Sequence, residues 1–183
     1  MADWIKEEMK LKKGHGWRAR PGYRIFVADR GAVRFDIPQS WILELGENST
    51  KFYDAAPPDD NCRLEVSYLR LPPIDWSGLP LRQLVEDTIK DDHRNPTVQG
   101  KMHELKRPDL EMCWTEMVFT DPVLKREARS RICIARGSNI LPIITMDFWP
   151  EDAGRLNPVW NEVLRSLQVG HYIEDPTRGP LLQ

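Results

Sequence analysis

The sequence is poor in three things that would have named a function directly. Cysteine is scarce: Cys62, Cys113 and Cys133 are odd in number and far apart, and no CxxC pair occurs. That excludes a disulfide framework and gives no zinc-ligand spacing. An excess of positive charge is also missing. Lys and Arg total 26 against 28 Asp and Glu, for a formal charge of −2, which lacks the basic surplus that drives binding to a phosphate backbone. A nucleic-acid partner is therefore not expected. Nothing approaches the 18 or so consecutive apolar residues of a membrane helix, and the start, Met1 to Lys13, threads charges through its apolar residues instead of building a signal-peptide core. No membrane association and a reducing, cytoplasmic location follow as expectations, and the Asn48-Ser49-Thr50 sequon is read as silent there.

Catalytic signatures are absent as well. No GxSxG, HExxH, Walker or GxGxxG stretch occurs, and His15, His93, His103 and His171 are scattered. Asp91-Asp92-His93 has metal-ligating side chains, but neighbours in sequence cannot converge on one ion without an unwound backbone. Asp59-Asp60-Asn61 lacks the spacing of a calcium loop. Cys113 and His103 have the chemistry of a nucleophile and base, yet no third group orients them, and a buried thiol is the simpler reading. No cofactor and no enzyme activity are expected.

What is present is an ordinary globular composition: 183 residues, 40 % hydrophobic and 30 % charged. A chain of this size buries roughly 70 % of its unfolded surface, enough for one core without staples. Charge is uneven, with nine basic against five acidic residues in the first 36, so a basic N-terminal arm precedes a mildly acidic body.

Periodicity orders the chain. Residues 2–13 read as a short amphipathic helix carrying Trp4, Ile5 and Met9 and ending at Gly14-His15-Gly16. From Tyr23 the period becomes two, and Tyr23 to Val27 and Val33 to Ile37 form a hairpin around Asp29-Arg30-Gly31. Trp41 to Leu45 and a short segment at Lys51 to Tyr53 read as strands, and Arg63 to Leu71 alternates clearly. Leu81, Leu84, Val85, Thr88 and Ile89 then mark a helix over about 80–92. Strands follow at 98–105, 110–119, 128–136 and 140–148, the last two joined by Gly137-Ser138-Asn139. Asn157 and Pro158 read as the N-cap and first turn of a closing helix whose apolar face runs from Val159 to Leu167. Residues 171–183 are expected to be a flexible tail.

Strands linked by short turns argue for a mostly antiparallel sheet, and two amphipathic helices must cover part of it. The predicted class is α+β, an α/β/α sandwich, with an N-terminal extension over 1–22 and a single domain over 23–170. In this setting the stretch Val33-Arg34-Phe35-Asp36-Ile37-Pro38-Gln39-Ser40-Trp41, and a closing strand leading into a helix with Trp160, Val163, Leu164 and Leu167, resemble the PsbP-like superfamily. That superfamily includes the extrinsic PsbP protein of photosystem II, the nuclear-transport factor Mog and the bacterial DcrB-like proteins. The resemblance implies a non-catalytic adaptor, chaperone or scaffold module and transfers no functional residue, since fold alone does not supply function.

Two sets of residues are candidates for binding. Of the seven tryptophans, Trp41, Trp114 and Trp160 have core periodicity, whereas Trp4, Trp17, Trp76 and Trp149 lie in the extension or at element ends, where exposed aromatics anchor partners. Arg129 and Arg131 share one strand face, with Glu111 and Glu116 available across from them. They read either as cross-strand ion pairs or as an anion-binding surface. The expected function is protein binding, with an apolar or anion-binding carrier pocket between sheet and helices as the alternative.

Overall fold

A computed structural model describes residues 5–180. The strands are β1 (Tyr23–Ala28), β2 (Val33–Pro38), β3 (Ile42–Leu45), β4 (Thr50–Tyr53), β5 (Cys62–Arg70), β6 (Thr97–Arg107), β7 (Leu110–Thr120), β8 (Glu127–Arg136), β9 (Ile140–Phe148) and β10 (Gln168–Val169). Helix α1 (Leu81–Lys90) lies between β5 and β6, and α2 (Ala153–Ser166) between β9 and β10. The long sheet has the order β3-β4-β5-β9-β8-β7-β6 and the small one β1-β2-β10. Every pairing is antiparallel.

The two faces of the long sheet are covered differently. Alternate residues of β5, β8 and β9, among them Leu64, Cys133, Ile144 and Met146, pack with Phe35 and Ile37 of the small sheet and with Leu156, Trp160 and Val163 of α2. Trp160 is completely buried and meets Trp114 edge-on at 5.7 Å. Phe26, Phe35 and Phe52 form a second aromatic group with centroids 5.0–5.7 Å apart. The fully buried rings Trp160, Phe35 and Phe52 each contribute about 1.5–3 kcal/mol by burial, with up to about 1 more from ring geometry. On the opposite face α1 lays Leu81 and Val85 on Cys113, Met117, Ile132 and Ile134. The predicted α+β sandwich is therefore present, with the small sheet sharing a layer with α2.

Three local expectations are corrected. Residues 5–12 form no helix and 13–14 form a turn: nucleating a helix this short is unfavourable, and the Lys12 backbone N–H instead donates to Thr177 O at 3.0 Å. The closing helix begins at Ala153, preceded by a single turn at Pro150–Asp152, so Asn157 is not its cap and Pro158 lies inside it. Pro158 forfeits one intrahelical bond, which is offset by the buried stripe of Leu156, Val159, Trp160 and Val163. Finally, residues 171–180 are docked. Gly170, His171 and Ile173 donate backbone N–H groups to Ala32, Gly31 and Arg30, and Ile173 is buried. Strand β10 had no sequence signal, because two residues carry no period.

Candidate binding cleft

Across β5, β9 and β8, Arg63, Asp147 and Ser130 stand side by side, since Arg63 pairs with Asp147 and Asp147 with Ser130 in register. Asp147 accepts from Arg63 Nη2 at 3.1 Å through one oxygen and from Ser130 Oγ at 2.6 Å through the other. A fourth group arrives from the turn after α1. There Asp92 Oδ1 accepts the Arg94 backbone N–H at 2.9 Å, a tight Asx turn that aims the Arg94 guanidinium back at the sheet. Arg94 donates to Asp147 at 3.1 Å and to both oxygens of Asp92 at 2.7–3.0 Å, and its face lies 4.3 Å from the Phe119 ring.

This cluster divides a groove. On one side, a cleft of about 310 Å³ is walled by Tyr53, Phe119, Phe148 and Trp149. On the other, about 640 Å³ opens between the end of α1 and the sheet, over Met117 and Ile132. Hydrogen bonding from Arg94 holds the Asp92 carboxyl below its ordinary range. Burial would pull the Arg94 guanidinium down, but Asp92 and Asp147 outweigh it and leave it raised. Both carboxylates are thus spoken for as acceptors, an arrangement suited to rigid binding and not to proton transfer. Among the described residues no three metal-ligating side chains converge, and Asp92 is committed to Arg94.

Beside the smaller cleft, the β7–β8 hairpin ends in an apolar tip. Val123 is 81 % and Leu124 60 % exposed. The tip is nonetheless fixed: Asp121 Oδ1 accepts both of their backbone N–H groups, at 2.9 and 2.6 Å, and the Lys125 N–H closes on Asp121 O at 3.0 Å. Arg126 covers Trp149 at 3.9 Å and pairs with Glu151 at 2.6 Å.

The predicted site residues scatter. Trp149 alone lines the groove, half-buried. Trp4 lies outside the described residues. Trp17 is not an exposed anchor: it is 6 % exposed, and its Nε1–H donates to Pro176 O at 2.7 Å, pinning the C-terminal segment. Trp76 is half-buried and donates to Pro72 O at 2.8 Å within its own loop. Arg131 is 6 % exposed and therefore no surface residue. Its Nε donates to Glu116 at 2.8 Å, it bonds Asn157 of α2, and it lies over Phe148. Arg129 meets the other Glu116 oxygen at 3.1 Å. The cross-strand pairing was legible, but the helix end covering it was not. Arg63, Arg94 and Asp147 escaped sequence reasoning, because each alone resembles an ordinary surface charge. The Asp92-x-Arg94 spacing was the one available signal.

Cys113 and His103 face opposite sides of the sheet, as their register shows: His103 pairs with Trp114, on which it stacks at 4.1 Å, and Cys113 pairs with Glu104. Burial pushes the Cys113 thiol up to about 11, against its activation as a nucleophile.

An antiparallel sheet with a helix on one face, and a helix and three-stranded sheet on the other, is the PsbP-like fold. The solution structure of cyanobacterial PsbP (CyanoP) from Synechocystis sp. PCC 6803 matches with a TM-score of 0.64 at 12 % identity, covering 84 % of this chain and 96 % of that one. The crystal structure of the Saccharomyces cerevisiae Ran-binding protein Mog1p matches with a TM-score of 0.53 at 12 % identity, covering 80 % and 95 %. Residues 24–173 match the Alr1449 family model, and the chain belongs to that family. The uncharacterized protein alr1449 of Nostoc sp. PCC 7120 is 50 % identical over 177 residues, 96 % of this chain and 92 % of that protein. No described helix is long and apolar enough to cross a membrane.

Proposed function

We propose that this chain is a non-enzymatic protein-binding domain whose contact surface is the β7–β8 hairpin tip and the adjoining cleft around Trp149. One observation carries the reading: Val123 and Leu124 present two branched apolar side chains to solvent on a loop whose backbone is fixed by Asp121. A flexible loop would expose the same atoms, but ordering it on contact would consume much of the gain. A rigid apolar protrusion rimmed by an arginine-covered tryptophan has the anatomy of an interface core with a polar border. The protein-binding character of the structurally similar Ran-binding protein supports the reading at the level of the fold. A reducing, cytoplasmic address goes with it, supported by three free cysteines.

The test is site-specific photo-crosslinking in the native host, with a photoreactive side chain at position 124 and, as control, at the exposed Glu86 of α1. The expected result is a discrete protein adduct at 124 that is missing at 86 and is abolished by Val123→Asp. Equal adducts at both positions, or none at 124, would refute the assignment.

A second reading, a small-ligand carrier, is favoured by the 640 Å³ groove over Met117 and Ile132, with Arg63 and Arg94 beside it. It predicts a co-purifying molecule of a few hundred daltons in native mass spectrometry, lost on Met117→Trp. A bare mass from the native host, together with no rise in melting temperature across a metabolite panel, would end that reading.

A further inference from the structure

At the opposite end of β7 from the hairpin tip, a cleft of about 250 Å³ opens where α2 finishes, under residues 16–18. Four arginines line it, Arg18, Arg34, Arg107 and Arg165, against the lining carboxylate of Asp36 and the buried Glu162 behind it. Arg34 forms the floor and is 8 % exposed. Its Nη groups reach Ser166 O at 2.8 Å, Arg18 O at 3.3 Å and Asp36 Oδ1 at 2.8 Å. Its buried Nε–H has no acceptor among the described residues. Leaving a buried charged donor unmatched is costly. Arg165 is engaged by Glu162 at 2.5 Å.

The other two guanidiniums face no carboxylate within ion-pair distance among the described residues. Arg107 donates to the carbonyls of Leu164 at 2.7 Å and Leu167 at 3.2 Å, capping the last turn of α2. Arg18 donates to the carbonyls of Trp17 at 2.8 Å and His15 at 3.2 Å, its own neighbours in sequence. Capping accounts for Arg107. Ser166 O, Arg18 O and Asp36 hold the Arg34 Nη groups, but its Nε–H stays unmatched and Arg18 has only backbone partners, which leaves cationic charge in surplus at the cleft.

The guanidiniums come from four separate places: the N-terminal segment, β2, the end of β6 and the last turn of α2. A carboxylate is satisfied by a single arginine fork, whereas a phosphate group offers oxygens in several directions and up to two charges. We propose that this cleft is a binding site for a phosphate group, carried as the free ion or as a small phosphomonoester. The site is separate from the hairpin surface and does not depend on the protein-binding reading.

The test is calorimetric titration of the full chain with inorganic phosphate and, in a second arm, glycerol phosphate, at ionic strength matched with chloride. Each charge-assisted contact removed should weaken binding roughly tenfold or more, so Arg18→Gln and Arg107→Gln should each do so. Arg82→Gln, on the exposed side of α1, should not. Sulfate should displace phosphate, and acetate at the same concentration should not. Binding in only one of the two arms identifies the source and supports the site. Phosphate heat no larger than that of chloride, an Arg18→Gln affinity within about twofold of wild type, or displacement by acetate would overturn the proposal. Should either variant fail to fold by circular dichroism, the other variant and the sulfate–acetate competition still decide it.

Discussion

Gly31 offers a sharp test of how the C-terminal segment is held. Its φ of +109° is one that side chains avoid, and a Cβ built there would stand 1.8 Å from His171 O and 2.8 Å from His171 C. Both are backbone atoms, so no rotamer change relieves the contact. Gly31→Ala must either distort the turn or push residues 170–173 away. The second route forfeits three backbone hydrogen bonds, from Gly170, His171 and Ile173 at 2.8–3.1 Å, at about 1 kcal/mol each. It also re-exposes Ile173, for about 2 kcal/mol. The strained φ adds about 1 kcal/mol or more if the segment stays put. Displacement therefore costs about 4–6 kcal/mol, within reach of the whole stability of a small domain. Urea unfolding should show a large fall in midpoint, and trypsin should cut at Arg178 well before the body of the chain. Gly78→Ala is the control, because nothing lies within 4 Å of its Cβ and its φ is ordinary. A Gly31→Ala protein with the wild-type midpoint and an uncut C-terminal segment would refute the reasoning.

Other consequences can be checked independently. Gly154 sits in the first turn of α2 with open space at its Cβ, so Gly154→Ala should stabilise by up to about 1 kcal/mol, read as a raised urea midpoint. Burial raises all three thiols, Cys113 to about 11 and Cys62 and Cys133 further, so a thiol reagent at pH 8 should label none of them in the native state and all three after unfolding. Asp92 has a carboxyl pKa below its ordinary 3.8 because Arg94 bonds it. Its stabilisation is complete above that value and is lost as pH falls through the lower folded value. Asp92→Asn should therefore lower the urea midpoint at neutral pH and flatten its decline in that acid range; an unchanged slope would count against the Arg94 pairing. Trp17→Ala removes the indole that packs on Gly179 and bonds Pro176 O, and it should free the C-terminal segment for proteolysis while the α2 core stays folded.

Much of this molecule was written locally. The alternation of Leu64, Val66 and Tyr68, the helical spacing of Leu81, Leu84, Val85 and Ile89, and the stripe from Val159 to Leu167 each depend on residues a few positions apart. Those patterns require strands and helices of one-sided polarity, and such elements must stack into an α+β sandwich. Trp160 in the core and Glu116 opposite Arg129 and Arg131 follow from the same periods. What tertiary structure decided is which distant residues meet. The strand order places β5 beside β9 and β9 beside β8, and that brings Arg63 and Ser130 to Asp147 across 84 and 17 residues. No period encodes an order of strands. The extension and the tail show the same limit: residues 5–13 have a plausible helical stripe, and 171–180 a loop composition, yet each supplies the backbone groups the other lacks, as Lys12 N–H to Thr177 O and Gly16 N–H to Arg178 O show. A backbone donor takes the acceptor that the fold presents, whatever its own neighbours in sequence prefer.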